Sequence, residues 1–202
     1  MIGIINYGVG NLRSVKNSLD FLNIENKIIV KPAQIKTCDK IILPGVGAFE
    51  PAMSKLNSLG FAQAVKDYSA SRKPILGICL GMQLLFDESE EYGSHQGLGL
   101  IKGKVLAFSK KVKNLPLPLI GWNDVTKKKS SPLLKDIGDG ASFYFVHGFY
   151  CEPKEKKVTV ASADYGIKFA AIIHKENIFG CQFHPEKSQS SGLQILKNFS
   201  NI

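Results

Sequence analysis

Cys79 closes the apolar run Ile75-Leu76-Gly77-Ile78 and is followed at once by Leu80-Gly81-Met82-Gln83, where the pattern turns helical. A strand ending in a nucleophile, with a glycine two residues to either side, is the thiol form of a nucleophile elbow. The tight turn lifts the side chain out, and the N–H of the next residue, Leu80, points to where an oxyanion would form. The start of the following helix would favour thiolate over thiol. A cysteine in an apolar run is most often a core residue, but the glycines argue for a turn. A second segment, Gly180-Cys181-Gln182-Phe183-His184-Pro185-Glu186-Lys187-Ser188, brings an imidazole and a carboxylate two positions apart. A thiol nucleophile needs a base to take and return its proton, and that base needs an acceptor on its other ring nitrogen to fix tautomer and orientation. Cys79, His184 and Glu186 fill those roles, although His184-Pro185-Glu186 alone would also read as a surface turn.

Groups this far apart in sequence meet only if the fold carries them to one edge. Strand-like runs at Ile2 to Ile5, Ile28 to Val30, Ile41 to Leu43 and Ile75 to Ile78 alternate with helical spacings. The helices are expected at Leu12, Val15, Leu19 and Leu22, from Met53 to Tyr68, and after Cys79 through Met82, Leu85 and Phe86. The second half reads as successive strands at Val105 to Phe108, Phe143 to Val146, Val158 to Ala163, Phe169 to Ile173 and Ile178 to Phe183, before a last helix with Leu193, Leu196 and Phe199. The expected fold is α/β, a mostly parallel central sheet flanked by helices with an antiparallel extension. Ligands of such sheets bind beyond the carboxyl ends of the strands, where Cys79 would stand.

The chain's 202 residues, 44% hydrophobic, can bury a sizeable core and are expected to form a single catalytic domain over 1–202. Cys38, Cys79, Cys151 and Cys181 are irregularly spaced and match neither a disulfide framework nor a zinc knuckle, so reduced thiols in the cytoplasm are expected, with no metal and no cofactor. The apolar N-terminus lacks a basic leader and soon turns polar at Asn6, which suits a first strand rather than a signal peptide. No apolar run is long enough to span a bilayer.

Twenty-six Lys and Arg against seventeen Asp and Glu give a net charge of +9. The lysines cluster at Lys110-Lys111, Lys127-Lys128-Lys129 and Lys154 to Lys157 without interleaved aromatics for stacking bases. A solvated basic surface, part of which could meet an acidic protein, is favoured over nucleic-acid binding. Gly8-Val9-Gly10-Asn11-Leu12-Arg13 imitates a dinucleotide loop, but Arg13 stands where a third glycine belongs. Among rival bases, His95 sits in a polar loop, His174 at an edge-like strand end, and His147 closes a strand that reads as buried and is expected to be satisfied locally.

The elbow Gly77-Ile78-Cys79-Leu80-Gly81-Met82-Gln83 and the downstream His184-Pro185-Glu186 resemble the class I (triad) glutamine amidotransferases. Pro44-Gly45-Val46-Gly47 is similar to the oxyanion strand of one subgroup, the glutaminases that serve imidazole glycerol phosphate synthesis in the histidine pathway. Asn6-Tyr7-Gly8-Val9-Gly10-Asn11-Leu12, Gly97-Leu98-Gly99-Leu100-Ile101-Lys102-Gly103, Gly121-Trp122-Asn123 and Phe143-Tyr144-Phe145-Val146-His147 resemble that subgroup in the same order, so the likeness spans nearly the whole chain. It implies a flavodoxin-like three-layer fold and hydrolysis of L-glutamine by Cys79, His184 and Glu186. Oxyanion donors are implied at Leu80 and in the Val46-Gly47 loop, where glycines at 45 and 47 would let a peptide flip. Gly47, Gln83, Glu91, Gly148 and Phe149 fall at substrate-contacting positions, and Asn11, Trp122 and Lys187 at the interface with a partner. That partner is implied to be a β/α-barrel cyclase, bound as a heterodimer, that receives the ammonia.

Two stretches depart from the subgroup. Leu117-Pro118-Leu119-Ile120 lacks the histidine common before Gly121, and Gly148 and Phe149 replace a small hydroxyl residue and a tyrosine. They leave the triad intact but bear on partner choice and substrate affinity. A paralogous glutaminase feeding a sugar-amidating enzyme therefore stands as an alternative. So do an inactive amidotransferase-like binding subunit, a basic nucleic-acid-binding domain and a cysteine peptidase.

Overall fold

The computed structural model describes residues Met1–Ile202. Strands β1 (Ile2–Ile5), β2 (Asn26–Ile29), β3 (Lys40–Gly45) and β4 (Ile75–Cys79) pair in parallel in the order β2-β1-β3-β4. Beside β4 lies β13 (Ile178–Cys181), also parallel. From there the sheet continues antiparallel through β12 (Lys168–Lys175), β11 (Thr159–Asp164), β8 (Leu119–Lys127) and β9 (Ala141–His147). A smaller sheet has the order β10-β7-β5-β6, built from β10 (Phe149–Pro153), β7 (Ile101–Ala107), β5 (Phe86–Ser89) and β6 (His95–Gln96).

The alternation of strand side chains sets the layers, because successive residues point to opposite faces. Ile42, Leu76 and Ile78 pack with Val15, Leu19, Ile195, Leu196 and Phe199, so α1 (Leu12–Phe21) and α5 (Gln189–Ser200) cover one face. Ile41, Leu43 and Ile75 pack with Phe49, Met53, Leu56, Phe61 and Val65, so α2 (Phe49–Ser58) and α3 (Phe61–Ala70) cover the other, together with the short α4 (Leu80–Leu84). The expected three-layer α/β fold is what the chain forms, and its antiparallel extension is as large as the parallel part, so the sheet is mixed, with four parallel and four antiparallel strand pairs, rather than mostly parallel. No helix is long and apolar enough to cross a membrane.

Several boundaries differ from the sequence reading. The helix expected from Met53 to Tyr68 is two, broken where Gly60 turns left-handed at φ 75°; the N–H groups of Leu59 and Gly60 close the first helix on Lys55 and Asn57. The helix after Cys79 ends at Leu84, and Phe86 opens β5. The N–H of Leu98 takes the carbonyl of Leu84, and those of Leu100 and Ile101 take that of Leu85, leaving neither for another helical turn. Phe108 and Val158 fall in 3-10 turns, and Phe183 lies beyond the end of β13. His174 is on an interior strand, not an edge: its ring stacks on Phe179 at 4.2 Å and its Nε2 meets the carbonyl of Glu176 at 2.9 Å. His95 stands in the short edge strand β6 rather than a loop. Strands β5, β6, β8 and β10 have no counterpart in the sequence reading.

Candidate active site

Because β4 and β13 are parallel neighbours with Ile78 opposite Cys181, both leave the sheet at the same edge. The residue that ends β4 is Cys79, and the loop after β13 carries His184 and Glu186. Cys79 has φ 53° and ψ −111°, a conformation that non-glycine residues rarely adopt. Close packing makes room for it: a Cβ on Gly81 would stand 1.8 Å from the carbonyl oxygen of Leu43, and one on Gly77 would stand 2.7 Å from the backbone of Met82. Glycine at both positions lets α4 fold back onto β3 and β4. Only 5% of Cys79 is exposed, and α4 spans five residues. Its macrodipole is therefore a weaker aid to the thiolate than the longer helix expected from the sequence.

The histidine loop is tied to β9. The N–H of His184 donates to the Tyr144 carbonyl at 2.9 Å, the Ser188 hydroxyl donates to the His184 carbonyl at 2.6 Å, and the Tyr144 N–H donates to that hydroxyl at 2.9 Å. His184 Nδ1 sits 2.8 Å from Glu186 Oε1, with both side chains almost fully buried. Burial alone would push the imidazole pKa down, but the Cys79 sulfur and the Glu186 carboxylate outweigh it and hold it up at about 10. The other ring nitrogen, Nε2, is buried and has no hydrogen-bond partner, nor does Glu186 Oε2. An oriented imidazole with its second nitrogen unengaged beside a thiol is the arrangement a proton shuttle requires.

Cys79 and His184 open on a cavity of about 660 Å³, also lined by Val46, Gly47, Leu80, Gln83, Glu91, Gly148, Phe149 and Lys187. Glu186 stands behind His184, outside the lining. Gly47 has φ 90°, a conformation that favours glycine, and a Cβ there would meet nothing within 4 Å. The strand end before it is pinned where the Tyr7 hydroxyl donates to the Pro44 carbonyl at 2.9 Å. Leu80, first in α4, has no intrahelical partner for its N–H. Glu91 accepts the N–H of Phe49 at the start of α2 at 2.7 Å, and burial pushes its carboxyl pKa up. Lys187 holds its ammonium 5.7 Å over the Tyr144 ring. Asn11 and Trp122 do not line the cavity: Asn11 stands at the N-terminal end of α1 without a side-chain capping bond, and Trp122 lies on the exposed face of β8, edge-on to Tyr144.

Three residues of this region went unnoticed as site members in the sequence. Gln182 is wholly buried and donates to Cys79 Sγ at 3.8 Å. His147 lines the cavity, and its Nδ1–H donates to the Phe149 carbonyl at 2.7 Å. The local satisfaction expected for its ring is thus half met, since its Nε2 is buried and unpartnered; burial and the nearby His184 outweigh the Phe149 carbonyl and lower its pKa to about 4. Tyr92, held at φ 52°, sits at the mouth, edge-on to Phe149 at 6.1 Å. The adjacency of Gln182 to the triad motif was the one signal available for it.

The family model described as "Glutamine amidotransferase class-I" matches residues 4–201. A protein of Caldanaerobacter subterraneus subsp. tengcongensis named "Imidazole glycerol phosphate synthase subunit HisH" is 48% identical over 202 residues, covering 100% of this chain and 98% of the relative. A protein of the same name from Chlorobaculum tepidum is 46% identical, covering 100% of both. Among solved structures, one described as a glutamine amidotransferase superposes with a TM-score of 0.77 at 17% identity, covering 100% of this chain and 99% of the other. PurLQS from Thermotoga maritima gives 0.77 at 19% identity, covering 99% and 97%. At those identities the superpositions speak for the fold.

Proposed function

The chain belongs to the class-I glutamine amidotransferases, and from that premise we propose that it hydrolyses L-glutamine to glutamate and ammonia and supplies the ammonia to a barrel cyclase subunit of the histidine pathway. In this reading Cys79 is the nucleophile. Its sulfur attacks the side-chain carboxamide carbon of glutamine, and the oxyanion is received by the N–H of Leu80 and by an N–H of the Val46-Gly47 loop. His184, oriented by Glu186, gives a proton to the departing nitrogen, which leaves as ammonia with a γ-glutamyl thioester on Cys79. Water, losing its proton to His184, then cleaves the thioester; glutamate departs and the thiol is restored. The observation that carries the reading is that the strained Cys79 elbow and a buried His184, paired behind by Glu186, line one cavity. Gly47, Gln83, Glu91, Gly148 and Phe149 are the proposed substrate contacts.

Free ammonia in water at neutral pH is protonated and lost as a nucleophile, so such a glutaminase needs a partner docked over its cavity. The mouth supports this, for Val46 and Leu117 are exposed beside it, and Ile120 (62% exposed) and Trp122 (49%) lie on the outer face of the β8-β9 hairpin. We place the barrel subunit there, in a heterodimer, with Asn11, Trp122 and Lys187 at the contact. Four unpaired cysteines suit a reducing cytoplasm. A role in sugar amidation is not favoured, because full-length relatives at 44–48% identity carry the synthase-subunit name. The test is glutamate release from L-glutamine by this chain alone and with the barrel cyclase and its ribotide ligand, using Cys79→Ala as control. Strong activation by the liganded partner that vanishes in the variant is expected; activity indifferent to that partner, or none in any condition, would overturn the assignment.

A further inference from the structure

Gln182 sits on the strand-to-loop junction between Cys181 and His184, with no exposed surface and a carboxamide that must find partners inside the protein. Its surroundings decide which way that carboxamide points. The carbonyl of Phe149 can only accept, so the Gln83 atom 3.1 Å from it is the amide nitrogen Nε2. That same Nε2 lies 3.3 Å from the Gln182 side chain, which must therefore present Oε1 to it. Its own Nε2 is then left facing the sulfur of Cys79 at 3.8 Å, while the Cys151 thiol approaches Oε1 at 3.9 Å. A buried polar chain thus runs from nucleophile to cavity wall: Cys79, Gln182, Gln83, and the Phe149 carbonyl, which is also gripped by His147 Nδ1–H. Gln83 uses only its nitrogen in this chain, so its Oε1 is left to a donor in the cavity it lines.

We propose that Gln182 is a positioning residue of this site: one buried carboxamide donates to the Cys79 sulfur and, through its oxygen, holds Gln83 against the Phe149 carbonyl, so that nucleophile and substrate wall are set by the same group. The inference rests on the glutaminase reading for its substrate, but not for its contact with the thiol. A donor at the sulfur favours the ionised nucleophile, and a fixed Gln83 presents one acceptor to the substrate.

Two variants separate this from a merely structural role. Gln182→Glu keeps the shape and sets a carboxyl group against the sulfur; Gln182→Met keeps the bulk and removes both donor and acceptor. Alkylation of Cys79 by iodoacetamide as a function of pH, read by mass spectrometry on the Cys79 peptide, reports on the thiol without any substrate. The expected result is a profile displaced to higher pH by about one unit or more in Gln182→Glu and by less in Gln182→Met. Glutamate release should show kcat lowered and KM raised together, at least about tenfold in kcat/KM for Gln182→Met. Folding is checked by circular dichroism, and Gln182→Met decides the matter if the buried acid does not fold. A wild-type alkylation profile in a folded Gln182→Met, with KM unchanged, overturns the proposal. Displaced alkylation in a chain whose wild-type form releases no glutamate would sustain the positioning role and overturn the glutaminase assignment instead.

Discussion

Replacing Glu186 by glutamine changes one atom and removes one charge. Its effect can be worked from the surroundings of the pair. The carboxylate accepts from His184 Nδ1 at 2.8 Å and keeps its second oxygen buried without a partner. If the new amide turns its oxygen to His184, the nitrogen takes the place of that second oxygen and becomes an unsatisfied buried donor. The orphaned donor costs fold stability rather than rate, while the histidine bond falls from charge-assisted to neutral, a loss of about 1–1.5 kcal/mol where the imidazolium forms, or roughly tenfold in rate. If the amide turns its nitrogen to His184 instead, Nδ1 must accept, the proton moves to Nε2, and the ring can no longer act as a base; a wrong tautomer of this kind lowers kcat by about 10⁴. Glu186→Gln is therefore expected to lose between about tenfold and 10⁴-fold in kcat, with KM for glutamine little changed. The carboxylate also helps hold the His184 pKa at about 10 against burial. Without it the imidazolium that, in the proposed mechanism, protonates the departing nitrogen is lost at lower pH, so the alkaline limb of kcat moves to lower pH. Glutamate release by the liganded complex, followed across pH, measures both effects. A variant with more than half of the wild-type kcat and an unmoved alkaline limb would refute the role assigned to this pair.

Gly81→Ala would place a methyl 1.8 Å from the Leu43 carbonyl oxygen, and the clash is expected to destabilise by about 3 kcal/mol or more, lowering Tm by roughly 6–12 °C in a thermal melt. Gly148→Ala, whose Cβ would meet only the Pro118 side chain at 3.7 Å, should leave Tm unchanged within about 2 °C. His147, held neutral with a pKa of about 4 against an ordinary 6.5, takes up its proton only in the unfolded chain between those values. Its contribution is intact above pH 6.5, and up to about 3 kcal/mol is lost as pH falls from there towards 4; urea titrations should show His147→Asn with a flatter acid limb. Trp122→Ala is expected to leave partner-free activity unaltered while weakening binding of the barrel subunit by about thirtyfold, or ~2 kcal/mol, in calorimetry; an unchanged Kd would remove Trp122 from the contact.

The elbow could be read from sequence because its requirements are local. An apolar run, a cysteine and glycines on either side leave few other conformations, and the carboxylate two residues after His184 lies within reach of the ring whatever the rest of the chain does. Gln182 could not be read that way, since its role exists only where residues 79, 83, 149 and 182 converge from four elements. The early end of α4 was hidden for the same reason. Met82, Leu85 and Phe86 keep a helical spacing, and what stops the helix is distant in sequence: the N–H groups of Leu98, Leu100 and Ile101 claim the carbonyls at its end. Strand β8 escaped notice because Gly121, Asn123 and Asp124 interrupt its apolar residues; only Leu119 and Val125 of the strand are buried, and the outward Ile120 and Trp122 mask the alternation. The parallel half of the sheet follows the order of the helices, whereas nothing local announces that the last strand returns to its centre.

That last strand has a bearing on how the molecule comes into being. β13 is synthesised after every other strand yet lies between β4 and β12, so it alone joins the parallel half of the large sheet to the antiparallel half. A nascent chain that stops at residue 176 can assemble two half-sheets, but each has an open inner edge along β4 or β12, the kind of edge that invites mispairing. The same insertion delivers His184 to Cys79. Completion of the sheet and assembly of the proposed catalytic pair are therefore one event, and an unfinished chain carries the proposed nucleophile without its proposed base.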